Sequence, residues 1–187
     1  LFPKIRESDS EENIIELIRD TVYSSIKNQL LSDVPIGTFL SGGIDSSIIT
    51  AVASKYINNL NTFCIGFEDS YDPYHGESNE SDQAKDFAEF LGTNHTNINI
   101  TADSFRELLP LFIKSSGQPF AVSSGLGILA VSQKAKEMGI KVLLSGDGAD
   151  EAFGGYSWYS SLSKIKSNIN NSLEPYRYID LGDPISE

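Results

Sequence analysis

Two stretches of this chain carry residues whose types and spacing suit a polyphosphate. The first is Phe39-Leu40-Ser41-Gly42-Gly43-Ile44-Asp45-Ser46-Ser47, where an apolar run ends, two glycines follow and a helical pattern begins. A strand that enters a helix through a glycine turn builds an anion site, because N–H groups and the positive end of the helix dipole converge there. Gly42 and Gly43 let the backbone approach a ligand with no Cβ in the way. Ser41, Ser46 and Ser47 add hydroxyls, and Asp45 offers a carboxylate able to hold Mg²⁺ between phosphates. Read without a ligand, the same residues are ordinary turn chemistry with an N-cap serine.

The second stretch is Ser145-Gly146-Asp147-Gly148-Ala149-Asp150-Glu151-Ala152-Phe153-Gly154-Gly155-Tyr156, again an apolar run, a glycine turn and a helix start. Asp147 and Asp150 are expected within one turn of each other at that helix N-terminus. The pair suits a Mg²⁺ ligand beside a carboxylate left for proton transfer. Acidic residues also stabilise helix N-termini with no catalytic role.

The elements that must position these stretches follow from hydrophobic periodicity. Residues 8–33 read as a packed helix with a capping box at Ser8–Glu11 and a stripe of Ile14, Ile18, Val22, Ile26 and Leu30. Val34–Leu40 reads as a buried strand and Ser46–Tyr56 as a helix with Ile48, Ile49, Val52 and Tyr56 near one side. Asn61–Phe67 is a second strand, with Cys64 a core residue; Glu68–Glu80 is an exposed loop containing a solvated His75. A helix over Ser81–Leu91 precedes a strand over His95–Ile100, where His95 is expected to be satisfied by backbone. A helix capped by Thr101 or Asp103 runs through Phe112, a loop covers Gly117–Phe120, a helix covers Ser123–Met138 and a strand covers Lys141–Leu144. Nearly continuous Val, Ile and Leu in alternating strands and helices predicts a parallel sheet covered on both faces. Such sheets bind ligands beyond the carboxyl ends of their strands, where the winding reverses.

Composition narrows the function classes. A net charge of −12 argues against a nucleic-acid or anionic-membrane partner. It leaves a nucleotide open, because a local nest of N–H groups with Mg²⁺ outweighs the global sign. The single cysteine excludes internal disulfides and paired-cysteine metal sites. No stretch reaches the length of a membrane span and no secretory signal opens the chain, so a cytoplasmic location is expected. Leu1 at the start and the polar run Asp180–Glu187 at the end read as a segment of a longer protein.

The lysine of a Walker loop is absent, as is the dinucleotide fingerprint. SGGIDSS instead resembles the pyrophosphate loop of the ATP pyrophosphatase group. With SGDGADEAFGGY further on, FCIGF and the LGTNH turn between, residues Asp33–Tyr159 resemble the synthetase domain of the glutamine-dependent asparagine synthetase family. The resemblance implies an α/β fold: a parallel-sheet three-layer sandwich of the adenine nucleotide alpha hydrolase-like (ATP pyrophosphatase) type. It implies a division into an N-terminal helix over 1–32, the ATP pyrophosphatase domain over 33–160, and over 161–187 the start of a C-terminal helical region.

Roles carry over onto matching positions only. Ser41, Gly42, Gly43, Asp45, Ser46 and Ser47 match the pyrophosphate loop. Leu40 and Ile65 match positions around adenine, and Ser145 and Gly146 match backbone contacts to the nucleotide. Asp45 and Asp150 match the holders of Mg²⁺-pyrophosphate, and Asp147 matches an acidic position that handles the incoming amine. The implied reaction uses ATP to adenylate a small-molecule carboxylate, then ammonia from a glutaminase domain of the parent protein displaces AMP. A homodimer is left open. Where asparagine synthetases tend to carry DEPFADxSAIP, this chain has Gly117–Gly127, with Gln118 and Val122 at two acidic positions and Gly127 at a proline. That loop lies toward the acceptor, so a different acceptor, such as a sugar acid for surface polysaccharide, is the rival expectation. A nucleotide-binding module without chemistry is a second rival. A tRNA-thiolating pyrophosphatase is a third, opposed by the lone cysteine and the acidic charge. The lysine that a later helical region supplies in the family is not assigned to Lys164 or Lys166. The isolated chain is expected to bind MgATP weakly and to turn over little.

Overall fold

A computed structural model describes residues 10–67, 80–118, 124–157 and 159. The expected loop over 68–79 with His75, the positions 119–123 and the stretch 161–187 with Lys164 and Lys166 lie outside the described residues. The chain divides into one unit through Gly146 and a second from Asp147, each described by itself.

In the first unit, α1 (Glu11–Gln29) precedes β1 (Ile36–Phe39), α2 (Ile44–Ser54), β2 (Asn61–Phe67), α3 (Glu80–Leu91) and β3 (Asn94–Ile100). The chain then crosses back through α4 (Ala102–Ser116) and α5 (Ser124–Glu137) to β4 (Val142–Leu144). All three strand pairs are parallel, in the order β3-β2-β1-β4. The chain steps outward from β1 to β3, then returns to lay β4 on the other side of β1. The winding therefore reverses between β1 and β4.

Alternation along β2 divides the core. Cys64 joins Leu40, Ala84 and Ala88 on the face covered by α2 and α3. Phe63 joins Val131, Ala135 and Ile140 on the face covered by α5, with α4 packed outside it. The three layers and the parallel sheet agree with expectation. Cys64 is a core residue, as its neighbours in the strand require.

The departures have local causes. The N-cap of α1 is Ser10, which accepts from the Asn13 N–H, rather than a box begun at Ser8. Strand β1 starts only at Ile36, since Pro35 brings no N–H to a ladder. Helix α2 starts two residues early, because Gly43 takes the N-cap position. Its inward residues are Ser46, Thr50, Val52 and Ala53, while Ile48 and Tyr56 are exposed. Small side chains let α2 lie close on the sheet, where the Thr50 and Thr38 hydroxyls pair at 2.9 Å. His95 Nδ1 pairs with the Thr62 hydroxyl at 2.9 Å rather than with backbone, and its Nε2 is buried without a partner. Helix α4 is capped by Thr101 in a reciprocal box with Ser104.

Candidate functional site

The reversal between β1 and β4 puts both serine–glycine corners at the carboxyl edge of the sheet, where open α/β sheets bind ligands. Pairing runs to Thr38 opposite Leu144, so Leu40-Ser41 leaves β1 beside Ser145-Gly146 leaving β4. The two corners touch. A Cβ on Gly146 would meet Asp45 Cβ at 2.9 Å and the Ser46 N at 3.0 Å, so this position accepts no side chain while the loop keeps its shape.

The first corner holds its own geometry through serine hydroxyls. Ser46 Oγ, buried, accepts from the Ser41 N–H at 3.1 Å, lies 3.1 Å from Ser41 Oγ, and donates to the Gly43 carbonyl at 3.2 Å. Ser41 Oγ accepts from the Gly43 N–H at 3.3 Å. Gly42 sits at φ 83°, a conformation that glycine enters without a Cβ penalty. Gly43 caps α2 with no side-chain bond to the first turn, so the helix start presents backbone N–H groups rather than a capping oxygen. Asp45 and Ser47 are half-buried on that turn, with Ile44 exposed between the loop and the helix.

Leu40 and Ile65 do not share a face. Leu40 is fully buried beside Cys64 and Ala88, so it presents backbone to the corner. Ile65 packs on the α5 face, where a Cβ on Gly127 would come within 2.7 Å of its Cδ1. Gly127 is thus the close contact through which the start of α5 meets the carboxyl half of β2. A polar depression of about 460 Å³, lined by Ser54, Asn58, Asn59, Gly92 and Thr93, lies at the opposite, amino edge of the sheet.

The second unit begins with Asp147, exposed and ahead of the N-cap Gly148 of α6 (Ala149–Phe153). Asp150 stands in the first helical turn with Glu151, and Asp147 immediately precedes the N-cap. After α6 the chain turns back at Gly154, and the Gly155 N–H donates to the Asp150 carbonyl at 3.0 Å. The Tyr156 hydroxyl donates to Glu151 Oε1 at 2.7 Å. That bond pushes the phenol up to about 12 and holds the Glu151 carboxyl below its usual range. The sequence motif contained Gly155 and Tyr156 without suggesting a task for either. Their signal is the glycine pair that ends the helix two residues after the two acids.

Among the described residues, no group of three or more His, Cys, Asp or Glu side chains forms a metal cage. Mg²⁺ usually takes only one or two carboxylates and completes its shell with water and substrate phosphate, and Asp45, half-buried on the first turn of α2, is a carboxylate of the kind it takes. No helix among the described residues is long and apolar enough to cross a membrane.

A parallel sheet reversing at a glycine-lined corner defines the class as an adenine nucleotide alpha hydrolase-like fold. The same fold is seen in the glutamine-dependent NAD⁺ synthetase from Acinetobacter baumannii, solved in complex with ADP. The likeness has a TM-score of 0.51 at 19% identity and covers 83% of this chain and 30% of that one. The family model for asparagine synthase matches residues 17–179, and the chain belongs to that family. It is 38% identical over 156 residues to asparagine synthetase [glutamine-hydrolyzing] 1 of Bacillus subtilis, covering 83% of this chain and 24% of that protein. It is 32% identical over 181 residues to asparagine synthetase [glutamine-hydrolyzing] 2 of Oryza sativa subsp. japonica, covering 89% and 29%. The chain therefore spans between 24% and 29% of the length of these two relatives.

Proposed function

We propose that this chain is the synthetase part of a glutamine-dependent asparagine synthetase-like amidotransferase, a ligase that forms a carbon–nitrogen bond. The observation that carries this reading is the contact of Gly146 with Asp45 and Ser46, which joins the two motifs over one corner of a family member's sheet. ATP is taken with its phosphates against the Gly42-Gly43 turn and the start of α2. Ser41, Ser46 and Ser47 shape and line that cradle, and Leu40, Ile65, Ser145 and Gly146 lie toward the nucleoside.

The acceptor's carboxylate oxygen attacks the α-phosphorus, its bond to the pyrophosphate oxygen breaks, and an acyl-adenylate and pyrophosphate result. Oriented N–H groups stabilise charge on the departing pyrophosphate. Asp45 and Asp150 would hold Mg²⁺, which supplies charge neutralisation on the phosphates. Ammonia then attacks the acyl carbon, AMP leaves, and Asp147 takes the proton that the nitrogen sheds. Ammonia comes from a glutaminase domain of the parent protein, and the cytoplasm is its location. No nucleic acid or membrane takes part. The division at residues 1–32, 33–160 and 161–187 belongs to the same reading.

The test is pyrophosphate release by the parent protein supplied with ATP, ammonia and aspartate. Asp45→Ala is expected to abolish release. Release that persists in this variant would refute the site, and ATP binding without any release would favour a binding module.

Gly127 favours a second reading of the acceptor. A Cβ there would stand 2.7 Å from Ile65 Cδ1, so the proline that asparagine synthetases tend to carry would require that side-chain end to turn aside. With Gln118 and Val122 also altered, another carboxylate such as a sugar acid is the alternative. Comparing aspartate with uronic acids in the same assay separates the two.

A further inference from the structure

Helix α6 is only five residues long, too short to hold its own shape in water. Its first two acids are each met by one residue of the returning chain. The Gly155 N–H bonds the Asp150 carbonyl, and the Asp150 carboxylate fills the space a Cβ on Gly155 would need, its Cγ at 2.9 Å from that position. Tyr156 donates its hydroxyl to Glu151 at 2.7 Å, and its ring lies 6.1 Å from that of Tyr159 in a stacked pair.

We infer that Gly155 and Tyr156 are positioning residues that fix where the Asp150 carboxylate is presented. Glycine at 155 leaves the carboxylate its seat against the backbone. Tyr156 engages the neighbouring Glu151, so the two adjacent carboxylates are held apart in different surroundings and only Asp150 is offered to a cation. The inference rests on the reading of Asp150 as a holder of Mg²⁺-pyrophosphate. A methyl group at 155 meets mainly the far end of a side chain, which swings aside at small cost, so Gly155→Ala moves the carboxylate and leaves the fold in place.

The experiment compares ATP affinity of the whole chain with Mg²⁺ and with EDTA, by calorimetry. Changes around a metal ligand that leave the ligand itself intact cost about 10–100-fold in metal affinity. Gly155→Ala is therefore expected to lose about tenfold of the Mg²⁺-dependent gain while its affinity in EDTA stays that of wild type. Tyr156→Phe loses in the same direction by less, and Glu151→Gln, which keeps an acceptor for the hydroxyl, retains the wild-type gain. Tyr156→Phe removes only an exposed hydroxyl and decides the question alone if Gly155→Ala does not fold.

Equal losses with and without Mg²⁺ would reveal a merely structural role and overturn the inference. So would a full Mg²⁺-dependent gain in both variants. A wild-type chain with no Mg²⁺-dependent gain would instead overturn the reading of Asp150, and the inference with it.

Discussion

Gly146 lies with its backbone against Asp45, so close that a methyl group would stand 2.9 Å from Asp45 Cβ and 3.0 Å from the Ser46 N. The end of one strand thereby sets the position of the first turn of a helix that begins far earlier in the chain. Neither side can relax cheaply, because the contact is to backbone and to a Cβ. Gly146→Ala is expected to cost about 1–3 kcal/mol, the usual range for overpacking. It should also weaken ATP binding, because the helix start must shift. Calorimetric unfolding and ATP titration of the same variant check both halves.

Ser46 tests whether the corner's shape depends on a hydroxyl. Ser46→Ala strands the Ser41 N–H, which bonds Ser46 Oγ at 3.1 Å. Ser41 is exposed, so water reaches the freed N–H and the loss stays at the net worth of one hydrogen bond, about 0.5–1.5 kcal/mol. Ser47→Ala, on the same turn but outside that network, should alter stability far less, and urea unfolding of the two variants side by side shows the difference.

The Thr38–Thr50 pair predicts a non-additive cycle. Both hydroxyls are fully buried and face each other at 2.9 Å. Thr38→Val or Thr50→Val alone leaves a polar atom without its partner, at about 1–3 kcal/mol. The double variant Thr38→Val/Thr50→Val should recover most of that loss, since two methyl groups replace two paired hydroxyls. A double-mutant cycle by denaturant unfolding measures the coupling.

His95 gives the fold a pH dependence of defined sign. Burial, and next the nearby Lys85 charge, hold its imidazole below the ordinary value. The unfolded chain therefore binds the proton more readily than the folded one, and stability rises with pH until the unfolded histidine has titrated, near about 6.5. Above that value the contribution is constant; it is lost as pH falls toward the depressed folded value. His95→Gln should flatten this part of the profile. Urea midpoints of both proteins at about pH 5 and about pH 8 check it.

Much of the frame could be read from apolar patterning. Strand β2 falls on Asn61–Phe67 as expected, because Phe63 and Cys64 bury its two faces and an acidic stretch follows it. The parallel reversal and the edge that carries both corners also followed from strand and helix order. The inward face of α2 could not be read, since periodicity weights Ile48 and Ile49 above Ser46 and Thr50. What decides that face is a hydroxyl pair formed with a residue twelve positions earlier, which no local window contains. His95 shows the same limit, as its partner Thr62 sits one strand away. The acids of the second motif were legible as residue types, but not that Gly148 would separate Asp147 from the helix.

The strand order also sets a timetable. Gly37 pairs with Asn61, which leaves the ribosome soon after it, but also with Leu143, which emerges only after α4 and α5 have been made. Loop closure over such a separation is slow, and a domain folds as a unit. A nascent chain therefore carries the Gly42-Gly43 turn long before Gly146 emerges to pack against Asp45.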